Sequence, residues 1–543
     1  MVVNMDTFSN ESTYKKFLEQ GDEQRFDSLF EGAIEKAKRE VFGRKFPIYI
    51  NGEEVFCEKE ISEYSPIDHM PIGRFQSGTR ENAKDAVEAA ENAFGEWSRT
   101  DYKERIRAMR KAAEIFRRQK FLISAIMSIE NGKTRYESVG EVDEAIDFLN
   151  YYSYEMEKNK GYSIKKKTEE SKAKVAAGFQ GAPGGSEQIY NLMKPYGVFG
   201  VIAPFNFPIS ISTGMSAAAL ITGNTVVFKP SSTDNMTMLT GLYIYKIFEE
   251  AGIPKGVFNY VTGPGSEVGD ELVSNSKVKG IAFTGSKNTG MSMMAKSYGL
   301  GIHKTFVVEL GGKDPVIVSK SADLDAAAEG IISSAFGYSG QKCSACSRVY
   351  VQESIKEEFI SKLSERTRSL KIGNPLLKGN YIGPLISPKP LEKFKTAVSE
   401  AEAHGRIVHG GKTVDLGIEG AYVEPTIAEM DHSNRLFHEE LFLPFLVIDS
   451  YKDFSEALAK ANDTEYGLTA GLYSRSKADI SAFMNGIAAG VVYINRKIGA
   501  TTGAMVGSQV FVGWKGSGTT GKGTGGRFYL QQFMQEQSQT VVK

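Results

Sequence analysis

Cysteine is almost absent: the 543 residues contain three, Cys57, Cys343 and Cys346. An odd, sparse set builds no disulfide framework, and thiols persist most simply in a reducing compartment, so a cytoplasmic protein is expected. A dominant charge sign is missing too. Lys and Arg total 65, Asp and Glu 66, for a formal net charge of -1. That balance gives no reason to expect a nucleic acid or an anionic membrane as partner. The N-terminal run MVVNMDTFSNESTYKK lacks the apolar segment of a signal peptide. What remains is an ordinary globular chain, 41% hydrophobic and 24% charged. It is too long for one core, and two or three domains of roughly 100 to 200 residues are expected.

Charge vanishes altogether from 195 to 228, a run long enough to cross a bilayer. Pro204, Asn206, Pro208, Gly214, Gly223 and Asn224 interrupt it. An apolar strand (198–203), a proline-bounded loop, a small-residue helix (about 211–221) and a second strand (225–228) explain it better than a membrane span.

The first ~45 residues are polar with helical spacing, a lead-in that packs on the main body. An edge hairpin follows near 47–55, then amphipathic helices in NAKDAVEAAENAF, RIRAMRKAAEIFRRQ and GEVDEAIDFLNYYSYEM. From 198 to 312, short apolar strands (GVIAP, NTVVFK, GVFNYVTG, KGIAFTG, KTFVVELGG) alternate with helices. Repeated βα units argue for a parallel sheet covered on both faces. Residues 313–495 repeat the style as a second α/β domain. The Lys- and Gly-rich 160–196 and the C-terminal FYLQQFMQEQSQTVVK fit neither. They read equally as strands reaching another subunit or as a loose loop and tail.

Four places carry chemistry. Cys343 lies in Ser339-Gly340-Gln341-Lys342-Cys343, among glycine and polar residues, which is unusual for a core thiol. A nearby cation would favour its thiolate. The bland alternative is a buried, inert cysteine. Cys346 adds C-x-x-C spacing, but no second cysteine pair or suitably spaced histidine pair completes a zinc site, so no metal is expected. Glu309 ends an apolar strand before Gly311-Gly312, at a sheet edge where α/β proteins bind ligands. It is either a general base for water or a solvated strand end. Thr284-Gly285-Ser286 closes a strand and opens a helix, whose free N–H groups can hold phosphate; most such turns are only turns. Asn206, framed by Phe205, Phe207 and two prolines, can donate to an oxyanion, although a loop Asn is more often a turn residue.

Taken in order, P-F-N-F-P, F-K-P-S, F-T-G-S-x-x-x-G, V-E-L-G-G-K, G-Q-K-C, E-E-L-F-x-P and F-x-G-W-K-x-S-G resemble the aldehyde dehydrogenase superfamily from about residue 45 to the end of the chain. G-Q-K-C-S-A-C-S-R, N-R-K-I-G-A-T-T-G-A-M-V-G-S-Q and the polar lead-in resemble its 1-pyrroline-5-carboxylate (L-glutamate γ-semialdehyde) dehydrogenase family. The resemblance implies an α/β fold with three parts: a Rossmann-type cofactor domain (1–159 with the lead-in, and 197–307), an α/β catalytic domain (308–495) and a small β oligomerisation flap (160–196 and 520–543). A substrate-anchor linker (496–519) joins them.

It also implies oxidation of L-glutamate γ-semialdehyde, formed from 1-pyrroline-5-carboxylate in proline catabolism, to L-glutamate by a homo-oligomer, a dimer or larger. NAD is the expected cofactor, with NADP also open. Cys343 is then the nucleophile and Glu309 the general base. Asn206 and the Cys343 N–H form the oxyanion hole. Lys229 and Glu440 hold the two ribose hydroxyl pairs, and Ser286 the pyrophosphate. Further cofactor contacts fall to Ala203, Pro204, Phe205, Ser231, Ser232, Gly263, Gly269, Phe283, Thr284, Gly285, Gly290, Glu309, Leu310 and Phe442. Ser344, Gly503 and Ala504 anchor the α-carboxylate, Phe207 and Phe511 wall the aliphatic chain, and Glu141 approaches the amino group.

The chain departs from the family at Gln509-Val510-Phe511-Val512-Gly513, where Q-P-F-G-G is usual, and at Leu443, where E-x-F-G-P has glycine. Succinic, α-ketoglutaric and sugar-derived semialdehydes therefore stay open as substrates, as does a non-enzymatic structural or binding protein on the same fold. Ser232 stands where strict NAD enzymes of the superfamily often carry Glu, and a serine does not repel a 2′-phosphate.

Overall fold

A computed structural model describes residues 8–167, 187–232, 237–497 and 505–542. The uncharged run forms strand Val198–Ile202, helix Ser210–Ile221 and strand Thr225–Lys229, all buried. Among the described residues no helix is long and apolar enough to cross a membrane.

Those two strands sit inside a seven-stranded sheet. Its order is Thr305–Glu309, Val278–Thr284, Val198–Ile202, Thr225–Lys229, Phe258–Tyr260, Ile48–Ile50, Glu53–Val55. The first five run parallel, and the expected edge hairpin joins them antiparallel. Strand order reverses between Val198–Ile202 and Val278–Thr284. Loops leaving neighbouring strands at such a switch point diverge and open a crevice beyond their carboxyl ends. The loop 203–208 and the turn Gly285-Ser286 leave from that edge.

A second seven-stranded sheet runs Gly405–His409, Thr426–Met430, Phe445–Tyr451, Cys346–Gln352, Asp314–Val318, Thr469–Tyr473, Val491–Ile494, parallel except for its first edge strand. The chain crosses from one sheet to the other between Glu309 and Asp314, so the carboxyl edge of the first faces the amino edge of the second.

Helix Tyr102–Asn131 stops at Gly132 (φ 78) because a left-handed residue ends the ladder. Helix Arg135–Lys158 restarts at once with a Thr134/Glu137 capping box. The lead-in forms helices Thr13–Glu19 and Glu23–Glu40, the second burying Phe26 and Phe30 in the first domain's core. Strands Ser163–Lys167, Glu187–Pro195 and Met534–Val542 make an antiparallel three-stranded sheet. Of the segment expected to begin that flap at 520, Tyr529, Leu530 and Phe533 instead pack into the first domain's core, as large apolar side chains without a partner sheet must.

Arg348 rivets the second domain. Fully buried, it donates to the carbonyls of Lys313 (2.9 Å), Ala461 (2.8 Å), Lys460 (3.3 Å) and Asp463 (3.4 Å). Three of these belong to the C-terminal end of helix Phe454–Asn462, whose last carbonyls lack partners within the helix. Arg348→Met removes their shared donor, the Lys460 carbonyl still accepting from Asp463 N–H (3.3 Å), at roughly 3–5 kcal/mol in total. The melting temperature should then fall by roughly 6–12 °C, measured by calorimetry; an unchanged melt would show that the carbonyls find other donors.

Candidate active site

Between the facing sheet edges lies a cavity of about 740 Å³. Its walls include Ala203, Pro204, Phe205, Asn206, Lys229, Ser231, Gly269, Phe283, Thr284, Gly285, Ser286, Leu310, Cys343, Glu440 and Phe442. Most of the positions expected to meet a dinucleotide thus share one space.

Cys343 stands where the turn 338–342 delivers it. Tyr338, Ser339 and Gly340 are all left-handed (φ 51, 53 and 67). For the two non-glycine residues this costs roughly 1–3 kcal/mol each. Hydrogen bonds offset it: Tyr338 Oη donates to the Asn131 carbonyl (2.9 Å), Ser339 Oγ to that of Gly383 (2.8 Å). Gln341 Nε2 donates to the carbonyls of Tyr338 and Pro384 (3.3 Å each), and its Oε1 accepts from Ile386 N–H (2.9 Å). A Cβ at Gly340 would collide with the Leu443 carbonyl, and one at Gly312 with that of Cys343. The thiol is partly exposed, whereas Cys346 is buried in the core.

The expected oxyanion donor, Asn206, comes from the other domain. Asn206 Nδ2 donates to the Gln341 carbonyl (3.2 Å). An amide NH₂ carries two hydrogens, so one remains for a ligand beside Cys343.

The cation next to the thiol in sequence is engaged elsewhere. Lys342, the adjacent cation, pairs with Glu137 (3.0 Å). Burial pushes the Cys343 thiol up, and the carboxylates of Asp314, Glu440 and Glu309 push it further, above the usual thiol range. The expected thiolate is therefore a neutral thiol that must lose its proton to a base.

Glu309 is suited to that. Burial raises its carboxyl to about 8, against one N–H from Gly513. Its Oε2 has no hydrogen-bond partner among the described residues. Its own backbone is fixed, with its carbonyl accepting from Gly285 N–H (3.2 Å) and Leu310 N–H donating to Ser517 (2.9 Å).

The rest of the cavity fits a nucleotide by the chemistry of its donors. Lys229 is buried, its acceptors among the described residues being the Pro230 carbonyl and Ser232 Oγ (3.3 and 3.2 Å), and burial lowers its ammonium to about 8. A buried ammonium without a carboxylate suits hydroxyl groups. Ser286 N-caps helix Lys287–Gly299 by accepting from Thr289 N–H, and Ser286, Asn288 and Thr289 of this helix start line the cavity. Glu440 accepts from Gly312 N–H (2.9 Å); a Cβ at Gly311 would fill the place of its carboxylate. Phe442 (φ 61) sets its ring edge against Phe205, 5.8 Å between centroids.

Some expected contacts lie behind the wall. Ser232 donates to the Gly263 carbonyl, Gly263 abuts the Gly78 backbone, and Gly290 lets its helix approach Leu310. Glu141 has a different task from the one expected. Its side chain is wholly buried, Oε2 pairs with Lys133, and Oε1 accepts from Ile209 and Ser210 N–H (2.8 and 3.2 Å). That leaves nothing for a substrate ammonium. The partly exposed carboxylate near the Cys343 turn is Glu137, one helical turn earlier; its T-x-x-E capping signature was readable, its place beside Lys342 was not. Ser344 is buried, with its N–H donating to Cys343 sulfur. Phe207 and Phe511 are half-buried. Gly503 and Ala504 lie outside the described residues. Lys393, Lys296 and Asn288 also line the cavity; as polar residues on solvent-facing helices they carried no sequence signal.

A model of the aldehyde dehydrogenase family matches residues 53–539. The 1-pyrroline-5-carboxylate dehydrogenase of Geobacillus sp. (strain WCH70) is 37% identical over 514 residues, 93% of this chain and 94% of that one. The 1-pyrroline-5-carboxylate dehydrogenase 1 of Halalkalibacterium halodurans is 38% identical with the same coverage. A solved 1-pyrroline-5-carboxylate dehydrogenase from Thermus with bound NAD superposes with a TM-score of 0.88 and 34% identity over 100% of both chains. Proline utilization A from Bdellovibrio bacteriovorus gives 0.89 and 33% over 100% of this chain, which spans 54% of that longer protein.

The raised carboxyl of Glu309 sets a pH profile. Below about 8 it is the acid and cannot take a proton; above, it is the carboxylate base. Steady-state hydrolysis of p-nitrophenyl acetate, which acylates an accessible thiol, should climb with pH and level off above about 8. Glu309→Gln should flatten that rise and slow turnover at least about tenfold. An unaltered profile in the variant would assign the titration to another group.

Proposed function

The chain belongs to the aldehyde dehydrogenase family, and on that premise we propose that it oxidises L-glutamate γ-semialdehyde, the open form of 1-pyrroline-5-carboxylate, to L-glutamate, a step of proline catabolism. Cys343 and Asn206 meet at one cavity, and the Glu309 carboxyl lies within electrostatic reach of the thiol; that juxtaposition carries the reading. The relatives named 1-pyrroline-5-carboxylate dehydrogenase support the choice of substrate.

Glu309 takes the Cys343 proton, and the sulfur adds to the aldehyde carbon. The oxygen becomes an oxyanion facing the second Asn206 hydrogen and the Cys343 N–H. A donor of this kind is worth on the order of 3 kcal/mol in the transition state. Lys229, Glu440 and Ser286 would hold a nicotinamide dinucleotide, which when bound supplies the hydride acceptor. Loss of the aldehyde hydrogen with its electron pair leaves an acyl thioester on Cys343. Glu309, its proton released, then draws a proton from water, and hydroxide addition frees the carboxylic acid and the thiol. A thioester suits this sequence because water cleaves it readily.

NAD is the proposed cofactor, and NADP is also accepted, since position 232 holds a hydroxyl already committed to Gly263 and Lys229 rather than a carboxylate. Ser344, with Gly503 and Ala504, anchors the α-carboxylate, while Phe207 and Phe511 flank the chain. The three-stranded antiparallel sheet supports assembly with further copies of the chain, and three free cysteines suit the cytoplasm.

A kinetic panel tests the substrate. An anchor built of hydrogen-bond donors is left unpaired by a substrate without the carboxylate. kcat/KM for L-glutamate γ-semialdehyde should exceed that for propanal at least about a hundredfold and that for succinic semialdehyde at least about tenfold. Equal efficiency for succinic semialdehyde would reassign the substrate. No nicotinamide reduction with any member would remove the enzymatic reading.

A further inference from the structure

One fully buried cation beside the site takes no part in the chemistry above. Lys133 occupies the turn between helices Tyr102–Asn131 and Arg135–Lys158, with none of its surface exposed. Its ammonium lies 3.7 Å from the centroid of the Phe207 ring and 4.9 Å from that of Tyr338. It is ion-paired with Glu141.

The two rings belong to the two loops that must meet. Phe207 follows Asn206, on the first domain. Tyr338 opens the left-handed turn that carries Gln341 and Cys343, on the second. Glu141 ties the same cation to the helix after Phe207 by accepting from Ile209 and Ser210 N–H (2.8 and 3.2 Å). The turn holding Lys133 is itself locked to the nucleophile loop, since Tyr338 Oη donates to the Asn131 carbonyl (2.9 Å). Gly132, left-handed there, could not accept a Cβ without meeting the Pro384 ring at 2.9 Å.

A desolvated cation is attracted to an aromatic face more strongly than an exposed one, and a ring contact between loops resists sliding in a way that one 3.2 Å hydrogen bond between Asn206 and Gln341 does not. We propose that Lys133 is a positioning residue: held between Phe207 and Tyr338 and neutralised by Glu141, it registers the oxyanion donor Asn206 against the nucleophile Cys343 across the domain boundary. The proposal rests on Cys343 and Asn206 having those roles.

Two thiol reactions separate the parts. Acylation by p-nitrophenyl acetate passes through an oxyanion; alkylation by iodoacetamide does not. Both run without cofactor. Lys133→Met should slow the p-nitrophenol burst at least tenfold and leave Cys343 alkylation within threefold of wild type. Because a lone Glu141 would be stranded in the core, Lys133→Met/Glu141→Gln removes both charges. This double variant should recover thermal stability but not the burst. In an Asn206→Ala background, Lys133→Met should slow the burst less than twofold further, since residues acting through one another are not additive.

A normal burst in either Lys133 variant, or a full independent loss on top of Asn206→Ala, would overturn the proposal. So would burst and alkylation falling together, which would mean a general collapse. Absence of a burst in the wild type, or an undiminished one in Asn206→Ala alone, would overturn the reading of the site and the role of Lys133 with it.

Discussion

Leu310, Gly311, Gly312 and Lys313 carry the chain from the end of one parallel sheet to the start of another, and the rest of the site follows from that short crossing. Four residues cannot separate two sheets widely, since extended chain spans at most about 3.5 Å per residue. The carboxyl edge of one domain is thereby pressed against the amino edge of the next. Glu309 is the last residue of the first sheet, and Cys343 precedes a central strand of the second, which brings the proposed base and nucleophile within electrostatic reach. The two glycines matter for the same reason: side chains there would occupy the places of the Glu440 carboxylate and the Cys343 carbonyl.

Close approach between two domains excludes water, and that sets the proton affinities. Burial raises Glu309 to about 8 and the Cys343 thiol beyond its ordinary range, while Lys229 falls to about 8. Each charged form is disfavoured for want of solvent. Negative charge on the Cys343 sulfur is therefore costly, and little solvent is at hand to stabilise it. Fixed dipoles oriented beforehand are most effective in such a setting. That explains why so many hydrogen bonds are spent on holding Gln341, whose carbonyl orients Asn206.

The alternating strands and helices of both domains were legible because fully buried parallel strands are short, apolar and bounded by glycine. Asn206, Glu309 and Cys343 were legible singly as weak signals and jointly through motif order. The position of Lys342 was not, since nothing in G-Q-K-C indicates that Glu137 turns that cation away from the thiol. The family resemblance puts Glu141 at the substrate; its helix is legible in the sequence but its rotation is not. One helical turn separates it from Glu137, and only packing decides which of the two is partly exposed. Tyr529 and Phe533 look like part of an alternating strand, yet the neighbouring core claims them. Long-range burial overrides local pattern in each case.

Chemistry on sulfur is the central claim, and trapping the acyl group tests it most directly. In the wild type, exposure to L-glutamate γ-semialdehyde and NAD followed by acid quench within the first turnover should leave a glutamyl group, at most one per chain, detected by intact-protein mass spectrometry and mapped by peptide analysis to Cys343. The adduct should be absent in Cys343→Ala. An acyl group on another residue, or NADH formed with no covalent adduct at any quench time, would contradict the account.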